Sequence, residues 1–308
     1  MAELQIQDSQ TQSVPPNGSP EWAGVARFVA LYFSLQFLTG LASLLIAGSG
    51  FFNLDPPVEF GSGESSNIEI QYRILPGILA QIVAFLPGLG LIWFLVGTDA
   101  FVLGKLGNPL RLAMEFFLVS MGCHVVHQVA LWFHQSVGGF TPQPHPFTKL
   151  GHSIDGTWVW IVLSFAACVA APINEEIVFR KLTNHWLGGP FGKNCLFFMA
   201  GFFALLGGGQ SKTTQFSEQV FPLLWVGGLF VLTQAVNCRG DIQWMIASAC
   251  LFSAIHSFAW PTPVPLFFFG IYQVLLMKRT GGILGPVLFH SWFNFLGVFG
   301  LLWEVFGP

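Results

Sequence analysis

The chain has 308 residues, of which 53% are hydrophobic and only 9% charged; its net charge is −3 and its mean hydropathy +0.63. A soluble domain carries about 25% charged residues, so the composition excludes an ordinary soluble fold, and the acidic balance argues against a nucleic-acid partner. The five cysteines (Cys123, Cys168, Cys195, Cys238 and Cys250) lie in or beside apolar segments without a CxxC pair, which makes them packed thiols rather than disulfide partners or zinc ligands.

Residues 1–22 open with a polar stretch rich in Gln, Ser and Pro, with neither a basic n-region nor an apolar core. This reads as a disordered tail, with the first span acting as an uncleaved targeting signal. A membrane-crossing helix needs about 20 apolar residues. Candidates lie near 25–47, 74–97, 110–133, 157–180, 195–209, 219–237, 243–259, 262–278 and 284–305. The expectation is an all-α, polytopic integral membrane protein of eight or nine transmembrane helices. A first group of helices fills 23–150 and a second 151–308, with 195–237 as a possible inserted hairpin. With nine spans and the N-terminus inside, the cytoplasmic side receives nine Lys and Arg and the far side three (Arg73, Lys149 and Lys212). The positive-inside rule therefore predicts a cytoplasmic N-terminus, in a plasma or inner membrane.

Ionisable groups inside such spans are functional candidates, because each costs roughly 2.5–3.5 kcal/mol near the bilayer centre. One run, TWVWIVLSFAACVAAPI, leads directly into Asn174, Glu175, Glu176 and, one turn after the second glutamate, Arg180. Glu176 and Arg180 can pair within the helix. Glu175 points about 100° away from Glu176, free to face a cavity and to act as a general base toward water. Two further segments carry polar groups at helical spacing: LFSAIH, with Phe252 and His256, and HSWFN, with His290 and Asn294. Phe252 alone reads as packing and His256 alone as a hydrogen-bonding histidine. His290 and Asn294 offer either helix–helix hydrogen bonds or two donors for an oxyanion.

Taken together, APINEEIVFR, LFSAIH and FFFGIYQVLLMKRTGGILGPVLFHSWFN resemble the CAAX protease and bacteriocin-processing proteins, also called the Abi family, which include CAAX prenyl endopeptidases. The resemblance covers about 157–307, and the first three spans carry none of it. It implies an intramembrane catalytic cavity and peptide hydrolysis by a glutamate-activated water. Glu175 and His256 would hold the water, His290 and Asn294 would stabilise the oxyanion, and Glu176, Arg180 and Phe252 would support them. The implied partners are the lipid bilayer and either a prenylated CAAX C-terminus or another membrane-adjacent peptide.

Glu175 and His256 stand 81 positions apart, an interval longer than is usual in the family. If the fourth helix ended at Arg180, the two would differ in depth by roughly 15–20 Å. The shared-water reading therefore predicts a helix that continues to about Leu187 and stops at Gly188-Gly189-Pro190, with a kink at Pro172. No cofactor is favoured, although Glu175, His256 and His290 form a His₂Glu set of the kind that binds zinc. His127 and His134, seven apart beside His124, are a second candidate metal or haem pair. A transporter or non-catalytic scaffold is the remaining alternative, but no matching broken helix stands in the first half.

Overall fold

The computed structural model describes residues 21–48, 75–138, 157–209, 216–236 and 240–306. The predicted tail up to residue 20, the two long loops and the polar turn at 210–215 lie outside the described residues, as do Arg73, Lys149, Lys212, Cys238 and Arg239. Among the described residues the chain is helical, without strands.

Each predicted span coincides with a helix: α1 (Glu21–Gly48), α2 (Leu75–Val96), α3 (Pro109–Gly138), α4 (157–187), α5 (Pro190–Gly209), α6 (Phe216–Ala235), α7 (Gly240–Ala254), α8 (Pro263–Thr280) and α9 (Leu284–Phe306). Six of them (α1 to α5 and α9) are long and apolar enough to cross a membrane. The protein is an all-α polytopic membrane protein. Its exposed Leu, Phe and Trp side chains on α1 to α3, such as Phe37, Leu44, Phe94 and Trp132, make the apolar outer face that a bilayer solvates.

Helix α4 does continue past its arginine, through Lys181 to Leu187, and stops before Gly189. It is not a uniform α-helix. Two stretches, Ala166–Ala170 and Ile177–Leu182, widen into π geometry and bracket the α-helical turn Ala171–Glu176 that carries both glutamates. Such widenings are uncommon and cluster at functional sites. The kink expected at Pro172 is thus expressed as a widened turn just before it, which accommodates a residue that has no N–H to donate.

Depth follows from helix lengths. The C-terminal end of α4 and the start of α7 lie at the same end of the bundle, because α5 and α6 run out and back between them. A Cβ added at Gly240 would lie 2.8 Å from Lys193 Nζ. Counted from that end at about 1.5 Å per residue, Glu175 lies about 18 Å in and His256 about 24 Å in. The large axial gap therefore closes. Helix α7, with only 15 residues, is too short to span, so its end and the turn that follows sit inside the bundle. Gly207 of α5 makes room for that turn: a Cβ there would lie 2.8 Å from Ser257 Cβ and 2.9 Å from Phe258 N. The α5–α6 pair, read from sequence as an inserted hairpin, thus supplies the seat for the segment that carries His256.

The first three helices are bound into the same body. The loop after α2 clasps the turn between α8 and α9, with Lys105 N donating to Thr280 O at 2.8 Å and Ile283 N to Val102 O at 3.0 Å. Glu21, at the start of α1, accepts the N–H of Phe191 at 2.8 Å, which satisfies an N-terminal donor of α5.

Candidate active site

Glu176 is the structural centre of the site. Its side chain and that of Arg180 are both fully buried, with Arg180 Nε 3.3 Å from Glu176 Oε2. The other carboxylate oxygen, Oε1, accepts from His290 Nδ1 at 2.8 Å and from Gln273 Nε2 at 3.2 Å. A buried charge is tolerated only when paired and hydrogen-bonded, and three helices (α4, α8 and α9) supply the groups that meet this need. Arg180 makes no well-aligned hydrogen bond among the described residues. Its guanidinium is instead held by the Glu176 charge and by the face of Phe252, 4.6 Å from carbon to ring centroid. Gly270 allows α8 to approach: a Cβ there would meet Ala249 of α7 at 3.0 Å and an Arg180 nitrogen at 3.5 Å.

The Glu176 contact orients His290. Because a carboxylate accepts, Nδ1 carries the proton, and Nε2 is turned toward Glu175, 3.8 Å from Oε2. That distance is beyond a hydrogen bond and within ion-pair range. Phe269 and Phe252 present their edges to the imidazole, at centroid distances of 4.9 and 5.8 Å, and fix its plane. The Glu175 side chain keeps 26% of its surface exposed, whereas Glu176 keeps none. Glu176 pairs with Arg180, as the sequence spacing expects, and Glu175 is the more exposed of the two glutamates.

His256 differs from its expected setting. It does not lie on the α7 helix with Phe252; the helix ends at Ala254 and His256 occupies the following turn, at φ −96° and ψ 12°. The ring still meets Phe252, with centroids 5.2 Å apart, and Nδ1 donates to the Phe252 carbonyl at 2.9 Å. A carbonyl can only accept, so Nδ1 is again the protonated nitrogen, and Nε2 of the neutral ring is an acceptor. Phe252, read from sequence as packing, is the wedge between Arg180, His256 and His290.

Asn294 is also engaged. Its Nδ2 donates to the Ala167 carbonyl at 2.7 Å. The reason lies in the first widened turn. Ala171 N–H is drawn back to Ala166 O, and the next donor that would reach Ala167 O in a π turn belongs to Pro172, which has none. Asn294 satisfies the carbonyl that proline leaves bare and keeps its second N–H.

Gln273 went unread in the sequence, although a lone amide in the apolar run GIYQVLL is the kind of signal that marks a polar contact inside a membrane. Tyr32 of α1 was also missed; its ring packs edge-on against Phe179 and Phe203, at 6.4 and 5.4 Å. Among the described residues, no three His, Cys, Asp or Glu side chains are arranged to hold a metal ion. His134 is buried, edge-on to Phe221.

Residues 157–296 match the family model described as "Type II CAAX prenyl endopeptidase Rce1-like". Comparisons with curated proteins and with solved structures gave no match.

Proposed function

We propose, from the match of residues 157–296 to the type II CAAX prenyl endopeptidase family model, that this chain hydrolyses a peptide bond in a membrane-associated substrate by means of a water activated by Glu175. The observation that carries the reading is the partly exposed Glu175 carboxylate 3.8 Å from an imidazole that Glu176 holds in place. Glu175 takes a proton from water while the acceptor Nε2 of His256 orients it. The resulting hydroxide forms the C–O bond to the peptide carbonyl. His290 Nε2 and the second N–H of Asn294 face the developing oxyanion. Glu175 then returns the proton to the amine as the C–N bond breaks. With Nδ1 donating to Glu176, His290 Nε2 can donate to the oxyanion only in the form that carries a proton on both ring nitrogens.

The substrate we propose is a prenylated C-terminal CAAX peptide, delivered from the bilayer to a cavity open on the cytoplasmic side, with the N-terminus of the chain on that side too. The reaction is metal-independent on this reading. In a detergent-purified preparation, wild type releases the residues beyond the prenylated cysteine, a chelator leaves the rate unchanged, and Glu175→Gln lowers it about 10²- to 10⁴-fold. Full activity in Glu175→Gln refutes the mechanism, and a rate restored only by added zinc refutes its metal independence.

A further inference from the structure

The second widened turn of α4 has the same logic as the first and involves a residue with no assigned part in the chemistry. Across Ile177–Leu182 the N–H of Thr183 is shared between Val178 O and Arg180 O. In an α-helix that N–H would go to Phe179 O. The Phe179 carbonyl is instead taken by two hydroxyls: Thr183 Oγ1 of the same helix at 2.7 Å and Ser248 Oγ of α7 at 2.6 Å. Ser248 and Thr183 are both wholly buried. A buried carbonyl must find a donor, and here the donor from another helix competes with the α-helical pairing.

The consequence reaches the glutamates. A widened turn accommodates one more residue than an α turn. Its collapse to α geometry would rotate the Ala171–Glu176 turn relative to Thr183–Leu187 by about 100°. Glu176 would then leave His290 and Gln273, and Glu175 would leave the His290 face. The two bulges are clasped by different helices, by Asn294 of α9 at Ala167 and by Ser248 of α7 at Phe179. The helix that leads into His256 is therefore the one that holds the register of the helix that carries Glu175.

We infer that Ser248 is a positioning residue: its hydroxyl, bonded to the Phe179 carbonyl, keeps the second turn of α4 widened and so holds Glu175 and Glu176 in register with His290. The kinetic part of this inference rests on the hydrolytic function proposed above; the structural part does not. Two measurements on the full-length protein separate them. In hydrogen exchange, Ser248→Ala should change protection of the 177–184 amides by about tenfold, whereas Thr183→Ala, which removes the hydroxyl on α4 from the same acceptor, should change it less. In peptide hydrolysis, Ser248→Ala should lower kcat about 10- to 100-fold, the cost of a displaced catalytic group, with KM within about twofold. Ser248→Cys, nearly the same size with a weak donor, should fall between Ala and wild type. Unchanged exchange in Ser248→Ala overturns the inference whether or not the protein hydrolyses peptides. Full kcat in Ser248→Ala, with wild type active, overturns its catalytic consequence. If the wild type is inactive on every peptide, the functional reading fails and the exchange result alone decides the inference.

Discussion

Two carboxylate clusters in this protein are built from similar parts and do different things. On the outer one, Glu115 of α3 is met by Arg279 at 2.6 Å and Arg111 at 2.9 Å, and it accepts from Tyr272 at 3.1 Å. The Arg111 side chain is 75% exposed. This cluster straps α3 to α8. On the inner one, Glu176 also has an arginine and two further donors, Gln273 and His290, but Glu176 and Arg180 are removed from solvent entirely. Beside it stands Glu175, partly exposed and 3.8 Å from His290 Nε2. An arginine partner therefore does not mark a reactive carboxylate. In the mechanism proposed above, the mark is a second carboxylate left partly open beside an imidazole whose orientation the first one sets.

The same contrast predicts how unequally the two clusters respond to substitution. Arg180→Met leaves the Glu176 charge buried beside Gln273 and His290 without its cation, and should cost about 3–5 kcal/mol of unfolding free energy, read by chemical denaturation in detergent. Gln273→Leu removes one hydrogen bond to that charge, and a loss of about 1.5–3 kcal/mol is expected. Glu115→Gln, in the solvated cluster, should cost no more than about 1 kcal/mol and leave hydrolysis intact. A Glu115→Gln effect as large as that of Arg180→Met would erase the distinction drawn between the clusters.

Much of this was legible in the sequence, for identifiable reasons. The helices were readable because each apolar run of bilayer length is bounded by glycine, proline or charge. The continuation of α4 to Leu187 was readable from Gly188-Gly189-Pro190 and from the need for Glu175 and His256 to share a depth. The split between the glutamates was readable because Arg180 lies one turn from Glu176 alone. What was not legible came from contacts between distant parts of the chain. The widened turns are stabilised by Ser248, 69 residues from Phe179, and by Asn294, 127 residues from Ala167. Local periodicity carries no trace of such partners. His256 leaves its helix because a short α7 ends against the glycine-lined end of α5, a tertiary event that the apolar run MIASACLFSAIH does not announce. Gln273 was the one omission with a local signal, a single amide among aliphatic residues.

The division of labour between adjacent glutamates is best tested by measuring unfolding and peptide hydrolysis together in Glu175→Gln and Glu176→Gln. Glu175→Gln should fold with stability within about 1 kcal/mol of wild type, as for a partly exposed group outside the buried network, and lose hydrolysis about 10²-fold or more. Glu176→Gln should lose both, because Arg180 is left as an unpaired buried cation. An active Glu175→Gln, or a Glu176→Gln variant as stable as wild type, would contradict the account.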